Sequence, residues 1–405
     1  MSNKISSLGA LCAVVGLTGI TLTFLGCASS PVRAQDTPTV RLARVPDGGL
    51  QPEIVVSGQT THLLYFKGNP KNGDLFYTRS TDGGTNWQKA IRVNSVANSA
   101  LAMGTIRGGQ LAIGREGRVF VVWNGSDVAP KSAAAPASER KYGAAPLLFA
   151  RLNDAGDAFE PERNLITKNW NLDGGADVAA DEDGRVYVAW HAQDKIGGDE
   201  TTRRVFLATS TDDGTTFTPE TPVWDKPTGA CGCCAVRLRA EKGGKVALLY
   251  RSATDMVHRD TYMLQSSDGG HSFAGQKIAE WNIAMCPMSS FSFAPHKGGL
   301  MAAWENEARV YFSPLNTTGM ATKVQAAPQQ GANAKYPTLA SNGNSQTLLL
   351  WTQNTSWGNG GDAQWELFDA QMRPLAGTDG QRANVPAWSF ATAFTRSDGG
   401  FTVLY

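Results

Sequence analysis

The sequence predicts an all-β fold: a single β-propeller of four-stranded antiparallel blades, seven in number rather than six. Three observations carry this. A turn followed by an alternating strand that ends in an aromatic residue recurs at Phe66, Trp123, Trp190, Tyr250, Trp304, Trp351 and Tyr405, roughly 47 to 67 residues apart. An acidic turn recurs as "RSTDGGTNW", "LNDAGDAF", "STDDGTTF" and "SSDGGHSF". Between these signals the chain shows no sustained helical period, and its 44 glycines suit many turns between short strands.

The first segment stands apart. Lys4 precedes an apolar run from Leu8 to Leu25, the pattern of a secretory signal. "FLGC", ending at Cys27, resembles a bacterial lipoprotein box, in which that cysteine is lipidated; "VRA" before Gln35 offers ordinary cleavage instead. Residues 1–34 are therefore expected to be leader and tether, and residues 35–405 the propeller domain. The protein is expected to be exported to the cell envelope, either lipid-anchored or soluble in the periplasm or outside.

Charge excludes some partners. With 37 Lys and Arg against 36 Asp and Glu, scattered along the chain, net charge is +1 and no basic groove or polybasic patch is visible. Nucleic acid is not expected as a partner, and a membrane only through the N-terminal lipid. A small molecule or a glycan is the expected ligand.

Each acidic turn follows a strand: "DLFYTRS", "PLLFARL", "RVFLATS" and "TYMLQSS". One unit thus reads as strand, Gly turn, aromatic-ended strand, loop, strand, acidic turn, outer strand. Such a sheet cannot bury both faces alone, and stacking around an axis does so while leaving only short edges. A regular sandwich gives no reason to repeat the same acidic turn. Seven pairs of the inner type against six outer pairs argue for seven blades, with "TVRLARV" (39–45) supplying the missing strand of the last.

The acidic turns resemble the Asp-box, S-x-D-x-G-x-x-[WF], of the bacterial sialidase-like propeller family, also called the BNR repeat. Asp82, Asp154, Asp212 and Asp268 match its carboxylate, which accepts hydrogen bonds from its own turn. Gly84, Gly156, Gly214 and Gly270 match its glycine, and Trp87, Phe159, Phe217 and Phe273 its aromatic. The resemblance implies that these residues are structural and face away from the ligand. "SPLNTTG" and "LFDAQMR" occupy the place of the box in the fifth and sixth units, which have lost it.

The opposite face collects residues that follow the aromatic strand ends and precede the inner strands. Asn124, His191, Gln353, Arg107 and Asp173 are the candidate ligand-face residues. The resemblance adds a catalytic set of three arginines, an acid/base aspartate and a tyrosine nucleophile paired with a glutamate. "ARVP" resembles the family's F/Y-R-I-P signature and nominates Arg44; Arg251, Arg309, Tyr336 and Glu305 are the other candidates. Two departures count against hydrolysis. Ala43 stands where the signature has an aromatic, and "KGNPKNGD" after Phe66 lacks the acid/base segment, with Asp74 badly placed for it. A small-ligand or glycan-binding module is therefore expected ahead of an exo-alpha-sialidase, and whether the protein is an enzyme stays open.

Four cysteines remain beyond Cys12 and Cys27: Cys231, Cys233 and Cys234 in "TGACGCCAVRL", and Cys286 in "WNIAMCPMSS". The CxCC and CPM segments resemble those of an exo-alpha-sialidase subgroup. Both segments precede inner strands of consecutive blades, so the four should approach one another. Three readings are open. Two disulfides, at least one joining the CxCC segment to Cys286, suit an exported protein. A copper or zinc centre would use Cys233, Cys234 and Cys286 with His258 or a neighbouring methionine, although no cofactor is the leading expectation. A redox-active thiol pair is the third.

Overall fold

In the computed structural model, which describes residues 38–405, seven small sheets stand around a central channel. The leader, with its lipidation candidate Cys27, lies outside the described residues. Blade 1 comprises Leu50–Ser57, Thr60–Asn69, Asn72–Ser80 and Ile91–Arg92; five further four-stranded antiparallel blades follow, ending with Gly380–Val385 in blade 6. The seven innermost strands touch one another in an unbroken ring.

Each interface between blades is one hydrophobic cluster, and strand alternation builds it. In blade 3, Val186, Val188 and Trp190 pack toward blade 2, while Tyr187 and Ala189 on the other face pack toward blade 4. A strand buried on both faces reads as a continuous apolar run, "VYVAW". The aromatic strand ends lie inside these interfaces; Trp123, Trp190, Trp304 and Trp351 are fully buried. The outermost strands of blades 1, 2, 3 and 5 have only two residues each, which leaves little edge for another chain to pair with.

Blade 7 departs from the expected pattern. It has three strands, Thr392–Thr395, Phe401–Leu404 and Val40–Ala43, and the last pair is parallel. In the other blades the third strand follows the second by a loop and runs back. Here the third strand comes from the opposite end of the chain, and must deliver it to the face where blade 1 begins. It therefore runs alongside Phe401–Leu404, with Val45 N–H donating to Tyr405 O at 3.0 Å.

Three acidic turns are stapled as expected. Asp212 Oδ1 accepts from Thr216 N (2.8 Å) and Ser210 Oγ (2.7 Å), and Oδ2 from Thr216 Oγ1 (2.7 Å). Asp82 and Asp268 repeat this with Asn86 and Ser272. Each box also reaches the preceding blade. Phe217 meets Phe149 of blade 2 edge-on at 4.9 Å, while Arg163 of blade 2 donates to the carbonyls of Gly214 and Thr215. A Cβ on Gly214, whose φ is +74°, would sit 2.9 Å from Phe149. The box is thus an inter-blade clamp as well as a turn.

The second box is a correction. Leu152 replaces the serine, so no hydroxyl anchors the turn. Asp154 is exposed and ion-paired to Arg118, while the amides of Asp157 and Ala158 donate to Asn153 Oδ1 at 3.2 and 3.4 Å. Conversely, blades 5 and 6 keep the turn chemistry without the box. Asn316 Oδ1 accepts from Thr318 N and Met320 N, and Asp369 Oδ1 from Gln371 N and Arg373 N.

Asp212→Ala is expected to lower stability by only about 1 kcal/mol, since the turn is solvent-exposed. Gly214→Ala should cost about 2 kcal/mol, through positive φ and contact with Phe149. Burial raises the pKa of Asp212, but hydrogen bonds from Thr216 and Ser210 outweigh it and bring it from 3.8 to about 2. Its contribution is therefore full above its unfolded value and is lost as pH falls through about 2. Denaturant unfolding of wild type and Asp212→Ala across pH should show their difference closing over that window. An equal gap at both ends would defeat the assignment.

Candidate functional site

The connectors that enter the innermost strands and leave the second strands meet at one mouth of the channel. A cavity of about 260 Å3 runs inward from it, flanked at this mouth by Ile106, Ala235, Ser290, Tyr336 and Phe390. Deeper in, Arg237 of blade 4 ties several blades together. Its guanidinium reaches Glu53 of blade 1 (2.8 Å), Gln110 of blade 2 (3.0 Å) and Asp177 of blade 3 (3.7 Å). Burial pushes Asp177 up to about 7, against Arg237 and two backbone amides that favour its charged form.

Of the catalytic candidates, Arg44 is exposed, lies over the ring of Tyr405 at 4.2 Å and donates to Asn384 O at 3.1 Å. Arg251 is 1% exposed, with donors used inside the protein: Ser289 Oγ at 2.6 Å and the carbonyls of Arg259 and Glu305. Arg309 is exposed on the hairpin that follows Asn306. Glu305 is buried, paired with Lys335 at 2.7 Å and accepting from the amides of Ser290 and Tyr336. Tyr336 shares only its backbone amide with that carboxylate. Its hydroxyl is buried, and burial followed by the Glu305 charge pushes its pKa well up. Arg251, Glu305 and Tyr336 are brought together as a buried support for the connectors. Asp74 is likewise structural, accepting from Asn94 Nδ2 and Asn98 N, both at 2.7 Å.

The ligand-face residues divide the same way. Asn124 holds the carbonyls of Asp173 and Gly174 at 3.2 and 2.9 Å, and Gln353 accepts from Gly331 N at 2.7 Å. His191 is 2% exposed and bonded through Nε2 to Cys234 O at 2.8 Å. Burial, then the charge of Arg203, lowers its pKa to about 4, so it is neutral at pH 7. Arg107 and Asp173 form an ion pair nearer the surface, the carboxylate being 42% exposed.

The cysteines do converge. Cys233 and Cys286 are disulfide-bonded, with Cα atoms 6.2 Å apart, joining the connectors that enter blades 4 and 5. Cys231 and Cys234 are buried thiols, their Sγ atoms 2.7 Å apart; Cys231 Sγ lies 3.6 Å from Cys233 Sγ. The structure therefore holds one of the two expected disulfides. The sulfurs of Cys231, Cys233 and Cys234 lie within 4.8 Å of one another, but Cys233 is held in the disulfide, which leaves two thiols as possible metal ligands in this group. His258 stands outside that group, bonded through Nδ1 to Asn282 Oδ1 at 2.6 Å.

Sequence reasoning missed several residues. Glu200 accepts from Gly232 N at 2.5 Å and pairs with the buried Arg259 at 2.6 Å, fixing the CGCC segment. Trp357 is 52% exposed and meets Trp388 edge-on at 4.9 Å, in connectors of blades 6 and 7. A readable signal existed for the pair: "TSWGNGG" and "PAWSF" set tryptophans among turn residues, outside any apolar run. Two arginines at alternate positions of one inner strand, in "VRLRAE", similarly marked the channel tie.

No family model and no curated protein matches the sequence. Solved structures do match in fold. A Penicillium chrysogenum alpha-L-arabinanase complexed with arabinobiose aligns over 82% of this chain and 96% of its own, at 12% identity and a TM-score of 0.51. An ulvan lyase, a polysaccharide lyase bound to a GlcA–Rha3S saccharide, aligns over 85% and 87%, at 13% identity and 0.50. A Hadza microbial sialidase aligns over 75% of this chain at 14% identity and 0.47, and the chain spans 63% of that protein's length. The fold is a seven-bladed β-propeller.

The Cys233–Cys286 bridge closes a sequence separation of 53 residues. Cys286→Ser should therefore lower stability by about 2–4 kcal/mol, measured by equilibrium unfolding without reductant. The same loss in both proteins on adding reductant would show that the bridge carries none of it.

Proposed function

We propose that the propeller is a glycan-binding module whose ligand sits at the channel mouth beside Trp357 and Trp388. One observation carries this reading. Trp357 is 52% exposed and meets Trp388 edge-on at 4.9 Å, so two large rings pack together where one of them faces solvent. A sugar offers a face of C–H groups that packs on indole and hydroxyls that bond to polar neighbours. Those neighbours are at hand: Arg44 donates to the carbonyl of Asn384, on the segment that leads to Trp388. The matching arabinanase and lyase, which hold saccharides, agree with a glycan ligand.

Hydrolysis of a sialoside by the inferred set is not supported. A carboxylate clamp needs arginine donors facing the ligand, and those of Arg251 face inward. A tyrosine nucleophile needs its hydroxyl activated, whereas burial disfavours the ionised form of Tyr336. The expected export of the chain and its lipid at Cys27 would place this module on or beside the cell envelope.

Binding to immobilised arabino-oligosaccharides, uronate-containing oligosaccharides and sialyllactose tests the proposal. Trp357→Ala should weaken the captured saccharide by about 1 kcal/mol, roughly fivefold in Kd, with unchanged stability. No release of sialic acid from an aryl sialoside is expected. Binding indifferent to Trp357 would remove this site; sialoside turnover abolished by Arg44→Ala would restore the hydrolase.

A further inference from the structure

We propose that Cys231, Cys233, Cys234 and Cys286 form a thiol–disulfide exchange centre that reduces apolar disulfides at the protein surface. The four sulfurs are graded in depth. Cys231 and Cys234 are 1% exposed, Cys233 is 4% exposed and Cys286 is exposed. A buried dithiol thus stands beside a disulfide whose other cysteine is exposed. The spacings suit successive exchanges: 2.7 Å from Cys234 to Cys231, then 3.6 Å from Cys231 to Cys233.

The surroundings favour a thiolate. Arg203, Arg251 and Arg259 are buried around the pair, with Asp173 and Glu200 as carboxylates near Arg203, Glu305 and Asp260 near Arg251, and Glu200 paired to Arg259; Arg203 Nε, Arg259 Nε and Arg259 Nη1 have no hydrogen-bond partner. Burial opposes ionisation of Cys234. The Cys231 thiol, Arg251 and Ser289, whose hydroxyl is 3.3 Å from its sulfur, together bring its pKa down to about 7. Cys231 is pushed the other way, by burial and then by Cys234. Met285, next to Cys286 in the chain, is exposed, as are Met256 and Val257 of the loop whose Val257 carbonyl accepts from Ile283 N at 2.8 Å; together they offer apolar surface to an uncharged disulfide.

Atoms and charge balance through the sequence of steps. Cys234 thiolate takes the proton of Cys231, whose sulfur attacks Cys233; the Cys231–Cys233 bond forms and Cys286 leaves as thiolate. Cys234 then attacks Cys231, its proton passing to the departing Cys233. Cys286 thiolate attacks the substrate disulfide, releasing one thiolate. Cys233 attacks Cys286, re-forming their bond, and the second substrate sulfur leaves with the proton. The net change oxidises the Cys231–Cys234 dithiol and reduces one disulfide to two thiols.

Full-length protein carrying Cys12→Ser and Cys27→Ser, titrated to one disulfide among the four remaining cysteines, is mixed with 2,2′-dithiodipyridine, and thiopyridone release is followed. Two equivalents are expected from two buried thiols, with peptide mapping showing Cys231–Cys234 and Cys233–Cys286 both bonded afterwards. Cys286→Ser should slow the release about tenfold by removing the exposed sulfur. Cys231→Ser, which keeps the Cys233–Cys286 bridge, should slow it as much, so that loss of the bridge is not the cause. Release as fast in Cys231→Ser as in wild type overturns the proposal. So does reagent left on Cys231 or Cys234 as a stable mixed disulfide, which marks direct attack without relay.

Discussion

Closure of the ring by one parallel strand pair, Val40–Ala43 against Phe401–Leu404, is the contact on which the rest of the molecule depends. Seven blades arranged in a line would leave two apolar faces in water, and each interface here is a hydrophobic cluster that needs both its blades. The closing pair joins the two ends of the described chain, so forming it demands that all intervening blades be in place. That makes closure entropically costly and cooperative. The face of blade 1 carrying Leu63 and Tyr65 is covered by Leu404 together with Val45 and Ala43, which the closing strand brings beside it.

On the outer side, the boxes extend the same logic. The stapled carboxylates shape the turn, and the shaped turn carries an aromatic and a close-packed glycine into the preceding blade. In blades 5 and 6 an asparagine or an aspartate does the turn-forming part alone. The channel side has its own tie in Arg237, which gathers acceptors from blades 1, 2 and 3. Buried charge of this kind fixes relative position more than it adds stability. The mouth inherits a rigid frame, in which Arg251, Glu305 and Asn124 hold connectors while Arg44, Asp173, Trp357 and Cys286 are left to meet solvent.

This division explains which site residues were legible. Position along the blade placed Asn124, His191, Arg251, Glu305 and Gln353 at the ends of the second strands, because strand order and strand ends follow from periodicity. It could not tell which of them point inward. Arg251 and Arg44 look alike as letters, yet one is enclosed by Ser289, Arg259 and Glu305 and the other lies over Tyr405 at the surface. Asp154 matched the box by spacing and lost the role to Asn153, since Leu152 could not anchor the turn. Trp357 and Trp388 sit in connectors without a periodic signal, and only their meeting gives them meaning.

The sequence by itself determined the all-β class, the repeat, the count of seven inner strand pairs and the stapled turns at Asp82, Asp212 and Asp268. These are local properties: alternation of apolar residues, a positive-φ glycine, a carboxylate within reach of its own backbone. Tertiary structure alone decided the rest. It made the last blade three-stranded with a parallel edge, paired Cys233 with Cys286 across blades, and left Cys231 against Cys234. It also turned Arg251 and Tyr336 inward. Each of these depends on residues far apart in sequence being brought together when the ring closes, and no local pattern encodes that distance.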